Sequence, residues 1–447
     1  FLFCGGCMFR PVSVFLILVM SFNVFSLTLE EYLNIVMKGN ISIKSKTNAS
    51  EKSEWSRLQS YSGYLPSLDL GGSFYYSRNT EEKLDSPGAS ADPQLANTRN
   101  PLYTRKIAMT LPIFVGGSRV LGNMIAGKNK EISTVEIENE KLSVEAAAVA
   151  SYFQTFITQE NIKLSENAVK AATENLRTAK LLLESGRTTE LAYLNLDLIL
   201  KKREQELENY KLEMLKSVAD MSRIAVVDIE FDTLEKSDFA IIEKHFSDKD
   251  HKSLFEDKKS LLLNNSPLLI KMEKLKKISD YSTILKISPF LPALNFNYTH
   301  DFGSAEDHPF QKTYYYDDDI VSLSFSWNLF KGFNDTIEWR KSLKDKVAAT
   351  LAYLEVKNTQ LYSLKAVLSS ILSLLEQKKV AESSVEISSK ALDQSRLEFE
   401  NGKSLYLDLL NSENSYYEAV RNLVFIENSI FNSFYQMRIL TGGKEEQ

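Results

Sequence analysis

Two stretches of this chain are almost free of residues that end helices, and they restrict the fold more than any other feature. No proline lies between Pro112 and Pro267, and none after Pro309. From Lys128 to Ser266 the only glycine is Gly186, and from Phe333 to Thr441 the only glycine is Gly402. Proline removes a backbone donor and clashes with the preceding turn, and glycine is costly inside a helix. Helices of globular proteins average about 11–12 residues. A helix from about Ser118 to Glu184 would be roughly 100 Å long at 1.5 Å per residue. A compact domain has no use for that length, whereas a structure crossing a compartment does. Each isolated glycine predicts the turn of a long helical hairpin.

Apolar spacing agrees. Alternating steps of four and three from Leu121 run through Ile125, Ile132, Val135, Leu142, Ala146, Val149, Phe153 and Phe156, interrupted only by Lys128 and Asn139. The same steps from Val347 run through Leu351, Leu354, Leu361, Leu368, Leu372 and Leu375, interrupted by Asn358 and Lys365. Both are heptad seams and predict burial between helices.

Ahead of each long helix stand two strand-like segments, expected at about 67–79 and 103–115, and again at about 293–301 and 320–329. Val321, Leu323, Phe325, Trp327 and Leu329 alternate with Ser322, Ser324, Ser326 and Asn328. Leu294, Phe296 and Tyr298 alternate with Asn295, Asn297 and Thr299. One face is apolar and the other small and polar, as a transmembrane barrel with a wet lumen requires. A half-buried soluble sheet is the alternative. The connections at about Arg78–Leu102 and Asp301–Asp319 are polar and predict long external loops. Tyr314–Tyr316 and Trp327 suit a membrane-interface belt.

The two halves repeat. Gly63-Tyr-Leu-Pro-Ser-Leu68 matches Pro289-Phe-Leu-Pro-Ala-Leu294, and Leu111-Pro-Ile-Phe-Val-Gly116 matches Trp327-Asn-Leu-Phe-Lys-Gly332. Gly186 and Gly402 are 216 residues apart, as are Gly116 and Gly332. The expected organisation is repeat 1 over 27–224, a joint over 225–250, repeat 2 over 251–441 and a tail over 442–447. Residues 1–26 read as upstream sequence and a secretory signal peptide beginning at Met8, with Arg10, an apolar Val12–Met20 core and cleavage after Ser26. No later stretch offers 18 apolar residues in a row, so a membrane location would have to use a barrel.

Chemistry is sparse. The net charge of −6 is spread without a basic run, which argues against a nucleic-acid partner. Cys4 and Cys7 are the only cysteines, and a single CxxC cannot complete a zinc site. A lipoprotein cleavage at Cys7 lacks the customary Leu three residues earlier. His245, Asp248, Asp250 and His251 in the joint read as solvated charge, not metal ligands. Glu306, Asp307, His308 and Asp317–Asp319 read as an acidic external loop, the rival being a divalent-ion site at the lipopolysaccharide surface. No catalytic constellation, cofactor site or metal site is expected.

Taken in order, these segments resemble the TolC-like outer-membrane efflux protein family. The resemblance is carried by Leu27-Thr-Leu-Glu-Glu-Tyr-Leu33, Asn40, and the Leu-Pro pairs before the strands, Leu65-Pro66 and Leu291-Pro292. Pro112-Ile-Phe-Val-Gly-Gly117 and Asn328-Leu-Phe-Lys-Gly332 complete it, leading into the long helices. It covers the chain from Leu27 onward, twice. It implies a mixed α+β membrane protein: a long coiled-coil helical barrel joined to a transmembrane β-barrel of four strands per chain, closed by trimerisation. It further implies a homotrimer in outer-membrane lipid, acting as a passive duct for a periplasmic adaptor and an inner-membrane pump or ABC transporter. Tripartite efflux and type I secretion both use such a duct. At the hairpin turns the family pattern is a glycine followed by Leu, with Asp six residues on. Here Gly402 is followed by Lys403 and has Asp408 at the sixth place, whereas Gly186 is followed by Arg187 and has Ala192 there. Asp408, with Asn411 three residues later, is the implied entrance gate, and Gly186, Arg187, Gly402 and Lys403 are the implied tip and adaptor contacts. A structural coiled-coil protein anchored in the envelope is the rival from another class. The four alternating strands argue against it.

Overall fold

The computed structural model describes residues 26–74, 99–186, 188–231, 233–235, 246, 251–307, 312–400, 404 and 406–443. The expected signal peptide and both cysteines fall outside these residues, as do His245, Asp248, Asp250 and His308. In chain order the elements are α1 (Leu29–Gly39), α2 (Ile41–Ser62), β1 (Ser67–Phe74), β2 (Arg99–Val115), α3 (Ser118–Glu184) and α4 (Glu190–Ala225). Then come α5 (His251–Asn265), α6 (Pro267–Leu285), a 3-10 turn at Ser288–Phe290, β3 (Ala293–Asp307), β4 (Lys312–Ser326), α7 (Asn334–Glu400) and α8 (Tyr406–Thr441).

The repeat is visible in the element lengths. Helices α3 and α7 each have 67 residues, and α4 and α8 each have 36. Punctuation explains their bounds. Asn40 separates α1 from α2, its side chain accepting from the Ser42 and Ile43 amides. Pro267 opens α6, where a missing N–H costs nothing. Pro66 and Pro292 each directly precede a strand, the extended conformation that X-Pro favours. Gly116 turns β2 into α3 at φ +58°, and a Cβ there would stand 2.4 Å from the Ser288 carbonyl oxygen. Only glycine fits such a left-handed, crowded position. Gly332 holds the matching turn at φ +59° with open space around it.

The four strands form one antiparallel sheet in the order β1-β2-β3-β4. The β2–β3 register shifts between Pro101 and Tyr103 and again between Pro112 and Phe114. Both irregularities sit at prolines, which cannot donate to the ladder. Strands β3 and β4 are longer than the expected segments at one end, pairing out to Asp307 and Lys312. Most of the expected Asp301–Asp319 loop is therefore strand, and the acidic residues 317–319 belong to β4. Backbone pairing satisfies N–H and C=O groups whatever the side chains are, so the ladder outruns the apolar alternation.

By residue contacts the described chain divides into two compact units. One contains residues up to Gly39, Ala148–Ile241 and Ala391–Asn428; the other contains Asn40–Ala147, Ile242–Lys390 and the residues from Ser429 on. The second unit holds the sheet and its flanking helices. There α3 is tied to α2 by Lys46–Glu136 (3.4 Å) and to α6 by Lys271–Glu136 (2.6 Å) and Lys274–Glu131 (2.5 Å). In the first unit, α1 packs on α4 so closely that a Cβ on Gly39 would lie 2.6 Å from the Ala225 carbonyl oxygen. Tyr32 stacks on Tyr152 at 6.1 Å. The Tyr152 hydroxyl donates to the carbonyls of Leu27 (2.8 Å) and Glu235 (2.9 Å), beside a parallel bridge between Leu27 and Leu234 in which the Leu27 amide donates to the Thr233 carbonyl (3.0 Å) and the Leu27 carbonyl accepts from the Glu235 amide (3.3 Å). Gln159 completes this node: its Nε2 donates to the Leu234 carbonyl (3.2 Å) and its Oε1 accepts from the Leu234 amide (2.8 Å).

The first heptad seam lies inward. Ile132, Val149 and Phe153 are buried, and none of its eleven positions is exposed. The second seam is corrected at its start. Val347, Leu351 and Leu354 are exposed within one chain, and the buried line further along α7 passes through Leu364, Leu368 and Ile371. Heptad spacing identifies an apolar stripe but not which partner covers it.

Candidate functional site

The expected site lies where the long hairpins turn, in the unit that contains the ends of α3 and α7 and the starts of α4 and α8. At the first turn, Gly186 adopts φ +70° with nothing near its missing Cβ. Its amide donates to the Leu183 carbonyl (3.0 Å), closing the last turn of α3. Thr189 then caps α4, its hydroxyl accepting from the Ala192 amide (3.2 Å). Arg187 lies outside the described residues, as do Gly402 and Lys403 at the second turn. That turn is bracketed by Phe399 and Tyr406, whose rings meet edge to face at 5.7 Å.

Helix α8 begins with two opposed stripes. Leu409, Glu413 and Tyr417 are buried; Asp408, Asn411, Ser415 and Glu418 are exposed on the other side. Spacings of three and four residues place each set on one face. Asp408 and Asn411 are thus neighbours one turn apart on an outward stripe of the single chain.

The buried stripe carries chemistry that periodicity alone did not single out. Glu413 is 4% exposed among residues of four helices: Asn175 on α3, Arg203 on α4, Arg396 on α7, and Tyr406 and Tyr417 on its own helix. Burial raises its carboxyl above the usual Glu range, and Arg396 and Arg203 offset this only in part. The Tyr406 hydroxyl is pushed up to about 12, by burial first and by Glu413 second. Asn175 stands beside both and eases the shift, although neither its Nδ2 nor the Tyr406 hydroxyl reaches a partner at full hydrogen-bond geometry.

Next to this cluster, Arg421 of α8 pairs with Glu206 of α4 at 2.7 Å, and Arg203 pairs with the same carboxylate at 3.0 Å. Arg203 also donates to the Asn414 side chain and lies over the Tyr417 ring at 6.0 Å. Burial pushes the Glu206 carboxyl up, but the hydrogen bonds from Arg421 and Arg203 outweigh it and hold the carboxyl below its ordinary range. Ser395 and Ser412 share a hydroxyl hydrogen bond of 2.7 Å between α7 and α8. The two hairpins are therefore joined near their turns by polar contacts, not only by apolar packing. A signal for this existed: Leu409, Glu413 and Tyr417 fall at i, i+4 and i+8, which puts a carboxylate on an apolar stripe.

The sheet supplies the other functional surface. Registers place Leu68, Met109, Tyr298 and Val321 in one row and Leu111, Phe296 and Leu323 in the next, all on one face. The opposite face carries Thr110, Asn297 and Ser322. Leu70 is 80% exposed and Val321 66%, so the apolar face is uncovered in the single chain. Among the described residues, strands β1 and β4 each pair on one side only.

Among the described residues, no helix is long and apolar enough to cross a membrane. None of them forms a group of three or more His, Cys, Asp or Glu that could hold a metal.

A family model described as outer membrane efflux protein matches residues 51–225 and 259–443. Among solved structures, the chain is similar to CusC, described as a transmembrane channel, with TM-score 0.77 and 11% identity over 94% of this chain and 93% of that one. It is similar to the CmeC outer membrane channel of Campylobacter jejuni (TM-score 0.75, 15% identity, 94% and 86% covered). It is also similar to the outer membrane protein VceC of Vibrio cholerae (TM-score 0.73, 13% identity, 94% and 97% covered). No curated protein sequence matches.

Proposed function

Because this chain belongs to the outer membrane efflux protein family, we propose that three copies assemble into the passive exit duct of a tripartite efflux or type I secretion system. A periplasmic adaptor and an inner-membrane pump or ABC transporter would complete that system. The observation that carries this reading is the sheet, apolar on one face, small and polar on the other, and unpaired at both outer edges among the described residues. Open strand edges cannot sit in lipid, because each unpaired backbone group there costs several kcal/mol. Four strands cannot close a barrel, but twelve can, with the apolar face toward lipid and the polar face lining water. The exposed stripe Val347, Leu351 and Leu354 is what a neighbouring copy would cover in the same assembly. The duct itself performs no chemistry.

In this reading the hairpin turns form the periplasmic mouth, and the exposed face of α8 carries Asp408 toward the axis. Threefold symmetry then gathers three carboxylates, which attract cations and narrow the passage. Asn411 one turn away adds no charge, so the ring has one acidic layer. Arg187 and Lys403, together with Gly186 and Gly402, would contact the adaptor.

The test is single-channel recording of the purified protein in planar bilayers. The wild type should conduct as a trimer and prefer cations. Asp408→Asn should lower cation selectivity and weaken block by divalent ions, with trimer stability unchanged. A protein that forms no channel would refute the duct, and identical selectivity and block in both proteins would mean that Asp408 faces away from the pore.

A further inference from the structure

The two repeats meet inside the chain at a junction with two parts, a seat and a ladder. The seat is Gly116, buried at φ +58°. The Ser288 hydroxyl donates to its carbonyl (2.8 Å), and the Ser288 backbone fills the space a Cβ would need. The ladder is the β2–β3 pairing beside it. Val115 stands opposite Ala293 and Phe114 opposite Leu294; past a bulge at Ile113, Pro112 stands opposite Asn295 and Leu111 opposite Phe296.

The outer edges of the sheet carry the same two parts, each uncovered. Gly332 corresponds to Gly116 in the repeat and has the same turn at φ +59°, yet it is exposed and nothing stands near its missing Cβ. Ser62 corresponds to Ser288, since they are 226 residues apart, as are Leu68 and Leu294. Ser62 is exposed where Ser288 is half-buried, and its hydroxyl turns back to the Gln59 carbonyl of its own helix (2.7 Å). Every residue of β1 is exposed, whereas Ala293–His300 on β3 are half-buried. One edge thus offers a seat without its serine, and the other a serine and strand without their seat.

We propose that Gly332 seats Ser62 of a second copy, and that β4 pairs with that copy's β1 in the register carried over from β2–β3. The inference rests on the reading that copies of this chain close the barrel, and it fixes which residues meet. Lys331 stands opposite the second copy's Ser67 and Phe330 opposite its Leu68. Past a bulge at Leu329, Trp327 stands opposite Leu70, Phe325 opposite Gly72, Ser324 opposite Ser73 and Leu323 opposite Phe74. The faces supply an independent check. Seat and serine alone set this register, yet it brings Trp327, Phe325 and Leu323 of the apolar face against the apolar face of β1, and Ser324 against Ser73 on the polar face. A slip of one residue would set apolar against polar along the whole edge. A slip of two keeps the faces but carries Ser62 roughly 7 Å off its seat. The Phe325 ring also lies across from Gly72, an arrangement in which an aromatic side chain covers the backbone that glycine leaves bare.

The test is disulfide cross-linking of the purified full-length protein. Within one chain β1 and β4 are separated by two strands, roughly 14 Å at ordinary spacing, too far for a disulfide. The double variant Ser73→Cys with Ser324→Cys should therefore link copies into multimers on a non-reducing gel, and neither single variant should. Ser73→Cys with Ser322→Cys is two residues out of register and should stay unlinked, because diagonal neighbours lie about 7–8 Å apart. Gly332→Asn tests the seat. Asparagine tolerates a left-handed backbone and has open space within one chain, so the chain should fold, but the side chain would stand where Ser62 of the second copy arrives. Its assembly should require a protein concentration at least about tenfold higher than wild type, the scale of one overfilled contact. Linkage of the Ser322 pair in place of the Ser324 pair, linkage of neither, or assembly of Gly332→Asn at wild-type concentration would overturn the junction. Planar-bilayer recording separates the two claims. Linkage in register without conductance would keep the junction and remove the duct; conductance with linkage out of register would keep the duct and remove the junction.

Discussion

Gln159→Leu isolates the bonds that fasten the segment around Leu234 to α3. The side chain grips one peptide unit twice, at 3.2 and 2.8 Å, and both Gln159 and Leu234 are less than a tenth exposed. Leucine has similar bulk but neither donor nor acceptor. The substitution would leave a buried N–H and a buried C=O unpaired, at about 1–3 kcal/mol each, so about 2–6 kcal/mol together. The alternative is for the segment to lift away. That forfeits the amide bonds Leu27–Thr233 (3.0 Å) and Glu235–Leu27 (3.3 Å) and the Tyr152 bond to Glu235 (2.9 Å). Three such bonds are worth about 1 kcal/mol each, and burial of the Leu234 side chain adds about 1.5–3 kcal/mol. The two costs are comparable, so the variant should open locally while α3 stays folded. Hydrogen exchange reads this directly. The amides of Leu234 and Glu235 should exchange at least about 30-fold faster in Gln159→Leu, since 1.4 kcal/mol is a factor of ten. Gln159→Glu keeps the acceptor and should fall between. Unchanged exchange at both amides, with the rest of the protein unaltered, would refute the view that Gln159 holds this segment.

The remaining expectations concern the turns and the buried carboxylates. Gly116→Ala should destabilise the protein by more than about 1 kcal/mol, through strain at positive φ and the clash with the Ser288 carbonyl. Gly186→Ala bears the φ strain alone, so equal melting losses in the two variants would show that the Ser288 contact is unimportant. Glu413 and Glu206 should respond to pH in opposite directions. Burial raises the Glu413 carboxyl, so its contribution is complete below the ordinary Glu value of 4.5 and is lost as pH rises through the raised one. Glu413→Gln should therefore melt higher than wild type at neutral pH, with the gap closing on acidification. The lowered Glu206 contributes above 4.5 and loses its contribution as pH falls through the depressed value, so Glu206→Gln should melt lower at neutral pH. Melting curves from neutral to acid pH test both, and parallel pH dependences for the two variants would contradict the burial and pairing described.

What could be read from the sequence was what is local or periodic. The 67-residue helices follow from the lack of breakers, and the turn at Gly186 follows from its isolation in that stretch. The strands follow from alternation, but their ends do not. Asp317–Asp319 lacks any apolar partner pattern and so resembles a loop, although its backbone is paired. The start of the second seam, Val347, Leu351 and Leu354, is a true apolar stripe that nothing in one chain covers, and periodicity does not say what does. Contacts between polar residues far apart in sequence left no trace. Gln159 and Leu234 are 75 residues apart, and Arg421 and Glu206 are 215 apart. The spacing of Leu409, Glu413 and Tyr417 marks Glu413 as a carboxylate on an apolar stripe, but its partners on three other helices leave no mark in the sequence.

The bridge between Leu27 and Leu234 also sets an order of events. Leu27 leaves the ribosome more than 200 residues before its partner, and at about 5–20 residues per second that is a delay of roughly 10–40 s. Throughout that interval α1 exists without the surface that buries Tyr32, since Met221, whose carbonyl accepts the Tyr32 hydroxyl, has not been made. Helix α1 is thus made well before the surface that buries it. Any factor that shields nascent apolar segments would have Leu29–Gly39 to cover for that interval, and a mutation that slows α4 would show its effect in α1.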